Sequence, residues 1–208
     1  DQADKNPHHV SYNYEGRDKR DTLGSSLRVA YDAPWFKMTS ITAYRGYNDV
    51  TRNDQDFTPY DLITAREDIK DRQFTQEFRF ASPEGSGPLK WLGGLYLYKK
   101  HQDHTLDLNY GQGAADMGMV PMAMTNTADS DIKTYGYAVF GQATYTLFDK
   151  LDLTAGLRYE YEKNKLDYAS DYLAGGMVVP GMSSDIRGRK HDDVFLPKAQ
   201  IAYRWTPD

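Results

Sequence analysis

The side chains with the most chemistry to offer in this sequence are five histidines and two methionine-bearing apolar islands, with no cysteine anywhere. His101 and His104 are three residues apart, which on a strand turns them to opposite faces and denies them a shared metal ion. The adjacent His8 and His9 meet the same objection, so exposed or rim-positioned histidines are the plainer reading. Gly118-Met119-Val120-Pro121-Met122-Ala123-Met124 is loosely echoed by Gly176-Met177-Val178-Val179-Pro180-Gly181-Met182. Thioethers are soft and adaptable, suited to an apolar or irregular ligand and able to ligate Cu(I). No His or Cys flanks them, so contact with an organic ligand, or packing of one loop on another, is favoured over copper. Met119, Met122, Met124, Met177 and Met182 are therefore the candidate ligand-binding residues. Asp49, Asp54, Asp56 and Asp61 give one segment an acidic cast, but their spacing fits no EF-hand. A nucleophile elbow, a phosphate loop and the zinc-protease motif H-E-x-x-H are all lacking. The sequence points to binding rather than bond-making, with no cofactor, no metal and no catalytic residue implied.

The elements that must hold these residues are strands. From Tyr135 to Tyr161 two alternating runs face each other across a turn. Odd positions carry Tyr135, Tyr137, Val139, Tyr145, Leu153, Leu157 and Tyr159; even positions carry Thr134, Gln142, Thr144, Arg158 and Glu160. Successive side chains on a strand point to opposite faces, so this is a hairpin with one apolar and one polar face. A two-residue loop at Asp149-Lys150 would set Thr146 against Leu153 and mix the faces. A three- or five-residue turn sets Tyr145 against Leu153 and Gln142 against Gly156, so an odd turn is predicted.

Eight strands are predicted, over about His8–Glu15, Thr22–Asp32, Trp35–Thr51, Arg66–Ser82, Leu89–Leu108, Asp131–Phe148, Leu151–Lys165 and Asp193–Thr206. Faces cannot be assigned for Trp35–Gly46 and Leu89–Tyr98, which are apolar on both parities. The connections alternate between short (Ala33-Pro34, Pro83–Pro88, Asp149-Lys150) and long (Arg52–Ala65, Asn109–Ser130, Asp167–Asp192). Outer-membrane barrels show this asymmetry, with short turns at one rim and long loops at the other. Several strands exceed the roughly 9 to 11 residues that cross a bilayer at a tilt.

Composition agrees with a strand-built membrane wall. Seventeen Tyr, 8 Phe and 3 Trp in 208 residues are a rich aromatic load, suited to strands and to interfacial girdles. The mean hydropathy of -0.75 argues against helical membrane insertion, and no apolar run approaches the roughly 18 residues a spanning helix needs. Alternating barrel strands can carry such an average. The net charge of -5, mixed along the chain, makes nucleic acid an unlikely partner. In a barrel the polar parity, with Arg28, Glu77, Arg79, Gln142, Arg158, Glu160, Lys198 and Arg204, would face the lumen. Such residues pair with one another or dock a polar plug.

Several strings also resemble a known family. Phe74-Thr75-Gln76-Glu77-Phe78-Arg79-Phe80-Ala81-Ser82-Pro83, Leu89-Lys90-Trp91-Leu92-Gly93-Gly94-Leu95-Tyr96, Tyr137-Ala138-Val139-Phe140-Gly141-Gln142-Ala143-Thr144-Tyr145 and Leu151-Asp152-Leu153-Thr154-Ala155-Gly156-Leu157-Arg158-Tyr159-Glu160, in that order, resemble the barrel of TonB-dependent outer-membrane receptors. Ser40-Ile41-Thr42-Ala43-Tyr44-Arg45 fits too. The resemblance implies an all-β antiparallel transmembrane barrel in a gram-negative outer membrane, taking up iron chelates, cobalamin, carbohydrates or another scarce nutrient. Its partners would be TonB, outer-membrane lipid and lipopolysaccharide, and the nutrient. Neither plug nor TonB box is seen, and eight strands cannot form a barrel of about 22. Residues 1–208 are thus expected to be part of a receptor barrel, with Trp205-Thr206-Pro207-Asp208 leading into a further strand. The rival expectations are a self-contained small outer-membrane barrel with a structural or adhesion role, and a soluble β-sandwich binding module.

Overall fold

A computed structural model describes residues 12–205. They form antiparallel strands β1 (Arg17–Asp32), β2 (Lys37–Asp54), β3 (Ile63–Ala81), β4 (Leu89–Tyr110), β5 (Met124–Leu147), β6 (Leu151–Ala174), the two-residue β7 (Met177–Val178) and β8 (Ser184–Tyr203), with one short helix, α1 (Gln112–Asp116). Each strand from β1 to β6 pairs with the next, and both β7 and β8 pair with β6. The count of eight thus comprises seven long strands and one short hairpin strand. The expected strand at His8–Glu15 is not among them: His8 to Ser11 lie outside the described residues, and Tyr12 to Glu15 are irregular.

The turn between β5 and β6 is odd, as the facing pattern requires. Leu147 pairs with Leu151, leaving Phe148, Asp149 and Lys150, and Tyr145 and Gln142 lie opposite Leu153 and Gly156. Phe148 and Asp149 take positive φ values of 52° and 58° to make the reversal.

Register carries one face across the whole sheet. Tyr145, Val139 and Tyr137 of β5 share a face with Leu89, Leu95 and Leu97 of β4, and with Leu153, Tyr159 and Tyr161 of β6. Odd positions of β5 are exposed from Tyr135 to Tyr145, while the even ones are covered, with Ala138 fully buried. The covered face is called inner and the exposed one outer. Pairing also settles the segments that sequence left open: Leu92, Gly94, Tyr96 and Tyr98 lie on the inner face with Phe140 and Gly136.

On β6 the apolar outer band runs from Leu151 to Tyr161. Ten steps of about 3.4 Å, tilted by about 45°, rise about 24 Å, the height of the apolar band on an outer-membrane barrel. The strand continues to Ala174, well past that band.

The long connections are shorter than sequence suggested. They occupy 55–62, 111–123 and 175–183, and most of Asp167–Asp192 is paired strand. Beyond the apolar band each face mixes polar and apolar residues, so the two-residue period vanishes while backbone pairing continues. Met124 is accordingly not a loop residue: it opens β5 and is buried.

Neither rival architecture matches. The sheet order leaves β1 and β8 on opposite edges, unpaired with each other among the described residues, so it does not close as a small barrel. A sandwich would bury large side chains between two layers. Here the buried apolar residues are Ala65, Ala114, Ala128, Ala138 and Met124, with no second sheet among the described residues to cover them.

Candidate functional site

The inner face is a polar wall on which most of the charged groups pair with a neighbour. All eight residues singled out for the polar parity lie on it: Arg28, Glu77, Arg79, Gln142, Arg158, Glu160, Lys198 and Arg204. Arg79 donates to both oxygens of Glu77, at 2.6 and 2.9 Å. Arg158 lies 3.0 Å from Glu160, two residues along the same strand. Arg204 donates to Asp152 at 2.5 Å, and Thr146 donates to the other oxygen of Asp152 at 2.6 Å. Arg28, on the edge strand β1, makes no ion pair among the described residues. Charges satisfied this way leave a hydrophilic surface with little free charge, fit to line a water-filled passage.

Two glycines let this wall bridge across a strand. Tyr98, Gly136 and Glu162 are consecutive partners on β4, β5 and β6, and the Tyr98 hydroxyl reaches over Gly136 to donate to Glu162. Lys198 of β8 likewise donates over Gly156 to Gln142 at 3.2 Å. A Cβ at Gly156 would sit 2.9 Å from the Cβ of Gln142, so a side chain there would block the bridge.

Higher on the inner face, two carboxylates are nearly enclosed. Asp49 is 6% and Asp71 5% exposed; Arg20 donates to Asp49, and Lys100 Nζ lies 3.0 Å from Asp71. The hydrogen bond from Arg20 holds the Asp49 carboxyl below the usual carboxylate range, against the opposing effect of burial. In sequence Asp49 reads as one of four aspartates in an acidic segment, and Asp71 carries no signal of its own. Extending the inner parity of β2 and β3 past the apolar band is the signal that would have found both.

The other aspartates of that segment shape the rim. Asp54 Oδ1 accepts from the backbone N–H groups of Asp56 and Phe57, each at 3.0 Å. Asp56 accepts from the N–H groups of Thr58 and Ile63. Asp61 accepts from the Gln112 N–H at 3.2 Å, while the Gly111 N–H donates to the Leu62 carbonyl at 2.9 Å, so the 55–62 loop clasps the start of α1. These carboxylates are spent on backbone donors. Of the candidate methionines, Met119, Met122 and Met177 are more than half exposed and Met182 is 39% exposed, whereas Met124 is enclosed. The loops therefore do not hide their thioethers against each other.

His101 and His104 point to opposite faces, as their spacing requires. His104 Nε2 lies 2.7 Å from Glu67 on the inner side. His101 turns outward, its Nε2 3.1 Å from Asp131 and 3.2 Å from Asp103. These three offer ligand atoms within 4.8 Å of one another, the set best able to hold a cation among the described residues. Lys133 donates to Asp131 at 2.7 Å, and that bond, aided by His101 and opposed by desolvation, keeps the Asp131 carboxyl below its ordinary range. Asp103 lies two residues along the same strand, but Asp131 comes from the neighbouring one, and that juxtaposition leaves no trace in sequence spacing.

One twisted sheet, apolar over a bilayer's height outside and polar inside, defines a section of an outer-membrane β-barrel wall. The chain belongs to the TonB-dependent receptor β-barrel family: the family model described as TonB dependent receptor-like, beta-barrel, matches residues 1–208. Among solved structures it is similar to the ferric yersiniabactin uptake receptor FyuA from Yersinia pestis, with a TM-score of 0.68 and 20% sequence identity. That match covers 92% of this chain and 27% of FyuA, so the chain spans about a quarter of the receptor it resembles. Family and neighbour are receptors and transporters rather than enzymes, and membership implies the gram-negative outer membrane.

Proposed function

We propose that residues 1–208 form one wall section, a part of the barrel domain, of a TonB-dependent transporter that takes up a scarce nutrient: an iron chelate, cobalamin or a carbohydrate. The observation that carries the reading is the pairing of a lipid-height apolar band outside with a largely ion-paired polar wall inside, on strands that continue beyond the band. The projecting strands hold the 55–62, 111–123 and 175–183 connections away from the membrane, where Met119, Met122, Met177 and Met182 present adaptable apolar surface to a ligand. Met124, buried in β5, is left out of that surface. Captured ligand then passes along the inner wall when TonB, acting through a plug, opens the path. Arg28, Glu77, Arg79, Gln142, Arg158, Glu160, Lys198 and Arg204 line the passage or meet the plug.

The test is uptake of labelled ferric siderophores, cobalamin and oligosaccharides by cells producing the full-length protein, with and without TonB. TonB-dependent accumulation of one class is expected. Replacing Met119, Met122, Met177 and Met182 by Ser is expected to weaken capture at the cell surface while leaving the amount of folded barrel unchanged. Uptake that is indifferent to TonB would overturn the transporter reading, and unchanged capture by the methionine variant would overturn the role of the loops.

A further inference from the structure

On the outer face, beyond the apolar band, three side chains from two strands converge on one point. His101 and Asp103 stand two residues apart on β4 and so share a face, and Asp103 lies directly opposite Asp131 of β5. His101 Nε2 is 3.1 Å from Asp131 Oδ1 and 3.2 Å from Asp103 Oδ1. An imidazole Nε2 carries at most one proton, so a single N–H would face two charged acceptors. His104, three residues on, pairs with Glu67 on the inner side and takes no part.

The carboxylates around this point outnumber their partners. Asp103, Asp131 and Asp167 are directly opposed across β4, β5 and β6, and like charges so placed destabilise a sheet. They border an open cleft of about 580 Å³ that Asp129 and Asp185 also line. Lys133 donates to Asp131 at 2.7 Å, and Arg187 stands 3.5 Å from Asp185 and 3.9 Å from Asp167. Asp103 has His101 as its one ionic neighbour among the described residues.

The donor set selects the ion that would fit. Bonds of about 2.0–2.2 Å from zinc to nitrogen and oxygen set two ligand atoms of a tetrahedral site about 3.3–3.5 Å apart. The two edges from His101 Nε2 fall within about 0.4 Å of that spacing. All three ligand atoms lie within 4.8 Å of one another, and Asp103, with a side chain 44% exposed, can turn to close the third edge. Lys133 holds the other oxygen of Asp131, and a hydrogen bond of that kind is the support that orients a metal ligand. A nitrogen with two carboxylate oxygens suits a borderline ion such as Zn²⁺, whereas calcium and magnesium take oxygen ligands. We propose that His101, Asp103 and Asp131 bind one zinc-type divalent ion, which neutralises part of the aspartate row and staples β4 to β5 above the apolar band. The site lies on the face away from the passage, so the ion is a resident of the wall and not the transported nutrient.

The experiment titrates Zn²⁺ alone into the full-length protein, folded in detergent and stripped of metal with EDTA, by calorimetry; Co²⁺ repeats it with visible absorption as the readout. The parent is expected to bind one equivalent more than His101→Gln or Asp103→Asn at the same metal concentration. Losing a ligand should weaken that equivalent about a hundredfold or more, because even the outer partners of a metal ligand are worth about 10–100-fold. His104→Gln should bind like the parent, and equimolar Ca²⁺ should not displace Zn²⁺. Zn²⁺ at about a hundred times its dissociation constant should favour the folded parent over the unfolded chain by about a hundredfold in urea, and His101→Gln should fall short by that factor. Equal stoichiometry and affinity in the parent and His101→Gln, an equal loss in His104→Gln, or displacement by equimolar Ca²⁺ would each overturn the proposal. The titration needs neither nutrient nor TonB, so its failure leaves the transporter reading intact, and failure of uptake leaves the metal site intact.

Discussion

Gly136→Ala in the full-length protein adds one methyl group to the inner wall, and its cost follows from the Tyr98 bridge. That Cβ would lie 2.5 Å from the Tyr98 hydroxyl oxygen and overlap the ring carbons beside it. The ring must move by about an ångström to restore van der Waals contact, and its hydroxyl then leaves Glu162. A hydrogen bond to a charged acceptor contributes about 1.5–3 kcal/mol. Alanine in place of glycine within a strand returns about 0.5–1 kcal/mol through reduced backbone entropy. The net expectation is a loss of about 1–2 kcal/mol, measured by urea unfolding of the protein folded into vesicles. Tyr98→Phe removes the hydroxyl without adding bulk. In a double-mutant cycle the two changes should therefore cost less together than the sum of their separate effects, by about 1 kcal/mol. A Gly136→Ala protein as stable as the parent, or strict additivity with Tyr98→Phe, would refute the bridge.

Further outcomes are expected elsewhere. Phe148, 89% exposed and held at a φ of 52°, is a costly residue for the left-handed region, so Phe148→Gly should stabilise the β5–β6 turn by about 1 kcal/mol in the same unfolding assay. The folded Asp131 carboxyl titrates below its ordinary value near 3.9, so its bond from Lys133 stabilises the fold above that pH and is lost as pH falls through the lowered value. Unfolding midpoints of the parent and Asp131→Asn should accordingly differ at pH 7, begin to close as pH falls below about 4, and meet only below the lowered folded value. Asp61→Ala removes the acceptor for the Gln112 N–H, and limited proteolysis should then cut 111–123 faster while the strands stay protected.

The alternation in β5 and β6 was legible because one face there meets an apolar medium and the other a polar one. The same contrast exposed the odd turn at Phe148-Asp149-Lys150, since any even turn would have crossed Tyr145 with Thr154 or its neighbours. Where the contrast ended, so did legibility. Residues 167–174 and 184–192 read as loop because each face mixes polar and apolar residues, yet backbone pairing with β8 and β6 holds most of them in strands. In Leu89–Tyr98 the difficulty was reversed: Tyr96 and Tyr98 are apolar in composition but face inward, where the Tyr98 hydroxyl finds Glu162.

By itself the sequence determined an alternating, strand-built wall and its family, because period, strand length and turn spacing are local properties of the chain. Tertiary structure decided which residues become neighbours. Register alone put Tyr98 beside Glu162 across a glycine, enclosed Asp49 and Asp71, and buried Met124. It also brought Asp131 to His101 and Asp103, although 30 positions of sequence separate Asp131 from His101. Cross-strand neighbours are fixed by the sum of two residue numbers in each hairpin, and those sums depend on every turn and hydrogen bond in the sheet.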